Sequence, residues 1–308
     1  MSSGSRRPAV IAAFTSLALV FSSGCRTPEQ EPNPAQSASP QLPAPIFTNW
    51  PPQANEFRFH WSAAPGIDLE TEPAVAVRAY MESDRLAAFA GGDPSVVYPG
   101  FMQSTPESTG ALQDPDSLLQ LRWVRPKTRA EYEANGLKVV ARQVYGYQPT
   151  HILNMEPVDG TTRATVCVGL YSVYRTTDDD PGKFFSTIAN ETTGERYQGE
   201  RSNIAVWRVE LVDRAPDTDR PTVSGIPQTG PLPAPLDDVF GPWFVSGASA
   251  GYWGPLSQAE DVDTPEVRAQ CEAAMPDDAA TRNALATGFH DSPPPHGDPV
   301  PGWPDRVS

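Results

Sequence analysis

Proline decides where regular structure can form in this chain. Of 35 prolines in 308 residues, eight lie between residues 26 and 53 and sixteen between 215 and 308, leaving ten for the long stretch from 54 to 214. Proline has no amide hydrogen and fits neither a helix interior nor a central strand. Helices and a sheet are therefore expected within 54–214. Residues 26–53, with no apolar period among Gln, Ser, Ala and Glu, read as a disordered tether. As polyproline II they would reach on the order of 80–90 Å at about 3.1 Å per residue. Residues 215–308 read as a wrapping segment that completes a core without building its own.

The N-terminus reads as an export signal. Arg6 and Arg7 precede a 13-residue apolar run, Ala9 to Phe21, and Ser22, Ser23 and Gly24 lead into Cys25. The run is too short to span a bilayer, which takes about 20 residues. The order of charged, apolar and small residues resembles the signal peptide of a bacterial lipoprotein, although Ser22 stands where that pattern prefers Leu, Val or Ile. The resemblance implies removal of residues 1–24, lipidation of Cys25 and retention on the outer face of the cell membrane, since two or three acyl chains anchor stably. Plain secretion with Cys25 free is the alternative. Ser5-Arg6-Arg7 also half resembles a twin-arginine signal, which leaves the export route open.

Charge excludes several partners. The chain carries 23 basic and 38 acidic side chains, a net charge of -15. Loss of Arg6 and Arg7 makes this 21 against 38, or -17. So acidic a chain is not expected to bind nucleic acid or anionic lipid head groups. A mean hydropathy of -0.41 with one long apolar run excludes a polytopic membrane protein. With Cys25 lipidated, Cys167 and Cys271 remain, and two thiols in an exported chain read as one disulfide. Closing that loop stabilises by roughly 4–5 kcal/mol on the chain-entropy model. Two buried free cysteines are the alternative.

Along the mature chain, Asn49 to Trp61 is too aromatic for a linker and is expected to pack as a first strand or arm. A helix is expected from Thr71, capped by that residue, with Pro73 in its first turn, one apolar face through Val77, Tyr80, Met81 and Ala88, and a stop at Gly91-Gly92. Asp84 falls inside the apolar stripe. Strands are expected at Leu118–Val124, Leu137–Tyr147, Thr150–Val158, Thr162–Arg175 and Asn203–Asp213, the third and fourth forming a hairpin about Asp159-Gly160. A short helix is expected from Thr264 and Pro265 through Cys271 to Met275. The dense aromatic stretch Phe240, Trp243, Phe244, Tyr252 and Trp253 has to be buried somewhere, and the expectation is that Phe240, Trp243, Phe244 and Trp253 cover the core's outer face. The fold class is α+β: a long amphipathic helix against a curved antiparallel meander, over a core domain of residues 54–214.

A helix of the Val75-Arg78-Tyr80-Met81 type followed by strands ending in Trp207-Arg208-Val209-Glu210-Leu211 resembles the nuclear transport factor two-like superfamily, which includes SnoaL-like and ketosteroid isomerase-like members. The resemblance covers about residues 71–214 and rests on element order. It implies a cone-shaped pocket between helix and sheet, used for catalysis in some members and only for binding or association in many.

Three constellations bear on chemistry. In a cone, Asp84 would be a carboxylate with a raised pKa, with Tyr80 or Tyr98 as hydrogen-bond donor, the set a pocket lyase or isomerase would use. Gly247-Ala248-Ser249-Ala250-Gly251 satisfies G-x-S-x-G, and Asp261 or Asp263 and then His290 follow in hydrolase order. The context does not fit, because Tyr252-Trp253-Gly254-Pro255 replaces the helix that a nucleophile elbow requires. His60, His151, His290 and His296 are spread singly, so no metal is expected, and Asp178-Asp179-Asp180 reads as a solvated acidic turn. Glycine loops that cradle phosphate and paired cysteine ligands are absent, and no cofactor is expected. The reading is a noncatalytic, lipid-anchored module whose partners are the membrane, through its anchor, and an unknown protein or small apolar ligand. A Cys25→Ser chain should leave the detergent phase when cells are fractionated; continued partitioning of a processed protein would contradict the anchor.

Overall fold

Asp159 and Gly160 set the sheet going. Both adopt positive φ, 48° and 81°, the type I′ geometry whose twist matches the strands it joins. They link β2 (Tyr145–Val158) to β3 (Thr161–Gly169) in antiparallel register, Val158 opposite Thr161. The computed structural model describes residue 47 and residues 49–109, 114–197, 203–214 and 226–305. The export segment, Cys25 and nearly all of the tether lie outside the described residues. The described residues belong to one unit, Ala44–Ser308.

Around the hairpin grows a strongly curled, largely antiparallel half-barrel sheet, in an α+β fold with few helices. On the far side of β3 lie β6 (Ile204–Asp213) and then β7 (Trp243–Ser249). The start of β2 pairs with β4 (Val173–Thr176), which pairs with β5 (Phe184–Ser186). β1 (Glu56–Ala63) lies along β2 in parallel, Phe59 opposite Gln148. Register shifts leave an extra residue on β2, Leu153, opposite β3 and on β7, Ser246, opposite Glu210/Leu211 of β6, and such bulges bend a strand and increase its twist.

Both faces of the sheet are covered. Ala164, Val166 and Val168 of β3, with Val209 and Leu211 of β6, join a core around α1 (Ala74–Phe89), with Phe57, Phe59 and Trp61 of β1. Cys167, Ile204 and Val206 point the other way, into a smaller core with Cys271 and Met275. That second core is roofed by α3 (Pro265–Ala274), whose N-cap Thr264 accepts a bond from the Val267 amide, and α4 (Ala279–Ala286), capped by Asp278. Cys167 and Cys271 lie at disulfide distance, with Cα atoms 5.3 Å apart across a separation of 104 residues, so the bond ties α3 to β3.

α1 is buried nearly all round; only Asp84, Arg85 and Ala88 are half-exposed. The expected polar face is therefore missing, because other segments cover it. Arg78 and Glu82, one turn apart and buried, organise that cover. The Arg78 guanidinium lies 4.2 Å from the Trp303 ring. It donates to the carbonyls of Leu69 (2.8 Å), Gln228 (3.1 Å), Pro301 (2.8 Å) and Gly302 (3.3 Å). Glu82 accepts from Trp61 Nε1 (2.7 Å), the Tyr98 hydroxyl (2.6 Å) and Trp303 Nε1 (2.9 Å). Burial pushes the Glu82 carboxyl above the usual range, against the pull of Arg78 and these three donors.

Several expectations are corrected. Pro73, not Thr71, is the N-cap of α1, and Thr71 contributes only its carbonyl, to the Val75 amide. Gly91 and Gly92 do end the helix, at positive φ; a Cβ on Gly92 would lie 2.6 Å from the Arg129 nitrogen. Leu118–Val124 is not a strand. Its amides turn elsewhere, Leu119 bonding the Gly254 carbonyl, and Leu119–Leu121 forms a 3-10 turn. Residues 137–144 are not a strand either: Leu137 and Val140 are exposed, and only Val144, next to β2, reaches the core. The hexapeptide α2 (Arg129–Ala134), closed by a Thr128/Glu131 capping box, was not anticipated. Nor was β7, which makes residues 243–249 part of the sheet. The aromatics accordingly divide: Phe240 joins the α1 core beside Phe101, Trp253 joins the α3 core, and Trp243 donates to Glu72.

Trp303 touches both Arg78 and Glu82, so Trp303→Ala removes packing and leaves a buried carboxylate short of a donor. The substitution should lower the unfolding free energy by about 3–5 kcal/mol. Urea denaturation measures this, and an unchanged midpoint would show that residue 303 is peripheral.

Candidate functional site

Three segments far apart in sequence meet beside the outer edge of the sheet. The turn Leu119–Leu121 is held against the end of β7 by the Leu119 amide on the Gly254 carbonyl (2.9 Å) and by Gln120 Oε1 on the Gly254 amide (3.0 Å). Gly247 permits the approach, since a Cβ there would lie 2.7 Å from Gln120 Cγ. This brings Arg122 and Trp123 alongside Trp207 of β6 and the run 248–252, enclosing a cleft of about 310 Å³.

Trp123, Trp207 and Tyr252 supply aromatic surface, Leu119 apolar surface, and Ala248 to Gly251 small residues. No acidic side chain lines the cleft. Its one charged lining group is Arg122, whose guanidinium lies 4.8 Å from the Trp123 ring centre; Lys127 Nζ lies 3.9 Å from the same ring. Two donors are stranded here. Arg122 Nε and Trp207 Nε1 are buried and have no hydrogen-bond partner among the described residues. A buried donor left unsatisfied costs about 1–3 kcal/mol.

The G-x-S-x-G segment forms part of this cleft but not a nucleophile elbow. Ser249 ends β7 opposite Arg208, and its Oγ accepts from the Gly251 amide (3.1 Å). His290 bridges to Phe184 on β5, so serine and histidine sit at opposite ends of the hydrogen-bonded strand order. His296 lies beside β1, its carbonyl bonded to His60 and its ring 3.9 Å from Glu56. Asp261 accepts the Asp263 amide and Asp263 pairs with Arg268. Serine, histidine and acid are not brought together.

The expected cone is filled with side chains. Tyr80 is buried, stacked on Phe101 with ring centres 5.8 Å apart, and its hydroxyl donates to the Val124 carbonyl (2.9 Å). Tyr98 is committed to Glu82, and burial beside that carboxylate pushes its hydroxyl well above the usual range. The described cleft is not lined by Tyr80, Asp84 or Tyr98. Asp84 sits at the half-exposed edge of α1 and accepts no hydrogen bond among the described residues. Burial raises its carboxyl to about 6, with Arg85 opposing the shift. Asp84 lies at the edge of the apolar stripe rather than in the described cleft. The acidic turn behaves as a turn, Asp180 accepting the Gly182 amide and Asp178 pairing with Arg142. Among the described residues, no group of three or more His, Cys, Asp or Glu could hold a metal ion, and no helix is long and apolar enough to cross a membrane.

No family model, curated protein or solved structure matches the chain.

The Asp84 shift has a definite sign in stability. Its folded pKa, about 6, exceeds the unfolded value near 3.8, so between those values the native state holds a proton that the unfolded state has lost, and stability falls as pH rises from about 4 to 6. Asp84→Asn should flatten this decline, leaving the part due to Glu82, which shifts in the same direction. Urea midpoints measured from pH 4 to 7.5 test it; identical slopes in both chains would contradict it.

Proposed function

We propose that this chain is a noncatalytic binding module, held at the outer face of a bacterial cell membrane by lipid on Cys25, and that the Trp123–Trp207–Tyr252 cleft is its binding site. One observation carries the reading: the cleft is walled by Trp123, Trp207 and Tyr252 and carries a single charged residue, Arg122, with no Asp, Glu or His in its lining to act as a general base. Binding sites are concave and mostly apolar, with a few placed polar groups, and the cleft has that composition. Ser249, its one hydroxyl nucleophile candidate, is occupied by the Gly251 amide. The Arg6-Arg7 signal and the pairing of Cys167 with Cys271 both suit an exported chain.

We also read the fold as a helix-filled cone of the nuclear transport factor two-like kind, closed by a proline-rich wrap. The burial of α1 on nearly every side and the bonds from Arg78 to Gln228, Pro301 and Gly302 support this. In that reading the cone serves as structure, and binding has moved to the edge where residues 243–253 meet residues 119–123.

Saturation-transfer NMR with indole, a neutral aromatic small enough for 310 Å³, tests the site. Indole should receive saturation from the folded chain and lose it in Trp123→Ala and in Tyr252→Ala, both with unchanged circular dichroism. Transfer of equal strength in both variants would overturn the assignment.

A further inference from the structure

Resting on that assignment, we infer that the cleft takes a ligand with a carboxylate on an aromatic or apolar body, the carboxylate held by Arg122 and the body lying against Trp123, Trp207 and Tyr252. The inference comes from which hydrogen-bonding roles the cleft offers. An arginine guanidinium and an indole N–H only donate. The Ser249 and Tyr252 hydroxyls can donate or accept, but the only charge in the lining is the Arg122 cation. No Asp, Glu, Asn, Gln or His lines the cleft. A lone cation beside aromatic walls selects an acceptor-only anion. A carboxylate is one, whereas a sugar hydroxyl or a primary amide also brings donors that would be buried unpaired.

Charge points the same way. In a chain of net charge -15, Arg122 and Lys127 flank Trp123, and neither makes an ion pair among the described residues. The chain's other arginines near this edge are neutralised or stacked; Arg208, for one, pairs with Glu260 at 2.7 Å. An acidic surface around a small cationic cleft repels anions at long range, so affinity must come from the short-range fork of Arg122 and from aromatic contact. The volume of about 310 Å³ admits one ring with a short chain, not a polymer.

The matched probes are 3-phenylpropionate and its neutral isostere 3-phenylpropionamide, titrated into the intact mature chain by calorimetry. The acid is expected to bind about tenfold or more tighter than the amide. Arg122→Gln should bring that ratio to about one, and Arg122→Lys, which keeps the charge but not the fork, should leave an intermediate ratio. A second pair, N-acetyl-glycyl-phenylalanine with a free and an amidated C-terminus, separates the two sources of this chemistry. Preference for the free C-terminus assigns the cleft to peptide ends, and preference shown only with 3-phenylpropionate assigns it to small acids. Equal binding of acid and amide in the unsubstituted chain would overturn the inference while indole transfer still supported the cleft. Loss of binding by all four probes together with indole would remove both.

Discussion

Two buried charged side chains one helical turn apart, Arg78 and Glu82 on α1, fix how this chain closes. Neither side chain is solvated, and an unpaired charge in such a place costs several kcal/mol. The chain meets that cost with geometry. Arg78 gathers four carbonyls from residues 69, 228, 301 and 302, while Glu82 gathers the polar edges of Trp61, Tyr98 and Trp303. Proline-rich segments, poor in amide hydrogens, have carbonyls to spare, and a guanidinium with five donors is the complementary partner. This is how the short stretches around residues 228 and 301–302, outside any helix or strand, are held against the core.

From that constraint follows the packing around α1. Trp303, Tyr98 and Phe101 belong to the core built against that helix. The Cys167–Cys271 connection and α3 close the other sheet face at the β3 end. The cleft by Trp207 survives because β7 extends the sheet there and the 119–121 turn, rather than another strand, lies against it. Its walls are therefore contributed by sequence-distant pieces held by the Gly254 backbone.

What could be read in the sequence had local causes. Asp159-Gly160 specifies a turn by its own backbone preferences, Thr264-Pro265 a helix start, and Ile204 to Asp213 a strand by alternation. The cysteine pairing followed from counting once Cys25 was set aside. What could not be read depended on partners elsewhere. Leu137 to Val140 alternates like a strand, but Leu137 and Val140 are exposed, with no core beneath them. α1 carries Arg78 and Glu82 on a face expected to be wet, and only the return of residues 226–305 explains their burial. The cleft escapes a reading by sequence because Arg122 and Trp123 fall in one expected strand, Trp207 in another, and Ser249 and Tyr252 in a motif and an aromatic run that point elsewhere. The one available signal was an aromatic beside an arginine in a loop-rich stretch, too common to single out.

Native-state hydrogen exchange at increasing denaturant tests the closure most directly. The amides of Gln228, Leu232, Val300 and Trp303 bond to Glu70, Trp303, Phe59 and Leu232, respectively. If Arg78 and Glu82 bind the C-terminal segment into the core, these amides open only with α1, in one cooperative unit whose opening free energy equals that of global unfolding. If they exchange through a separate, much less costly opening while α1 stays protected, the segment is an appendage and the buried pair does not hold the fold together.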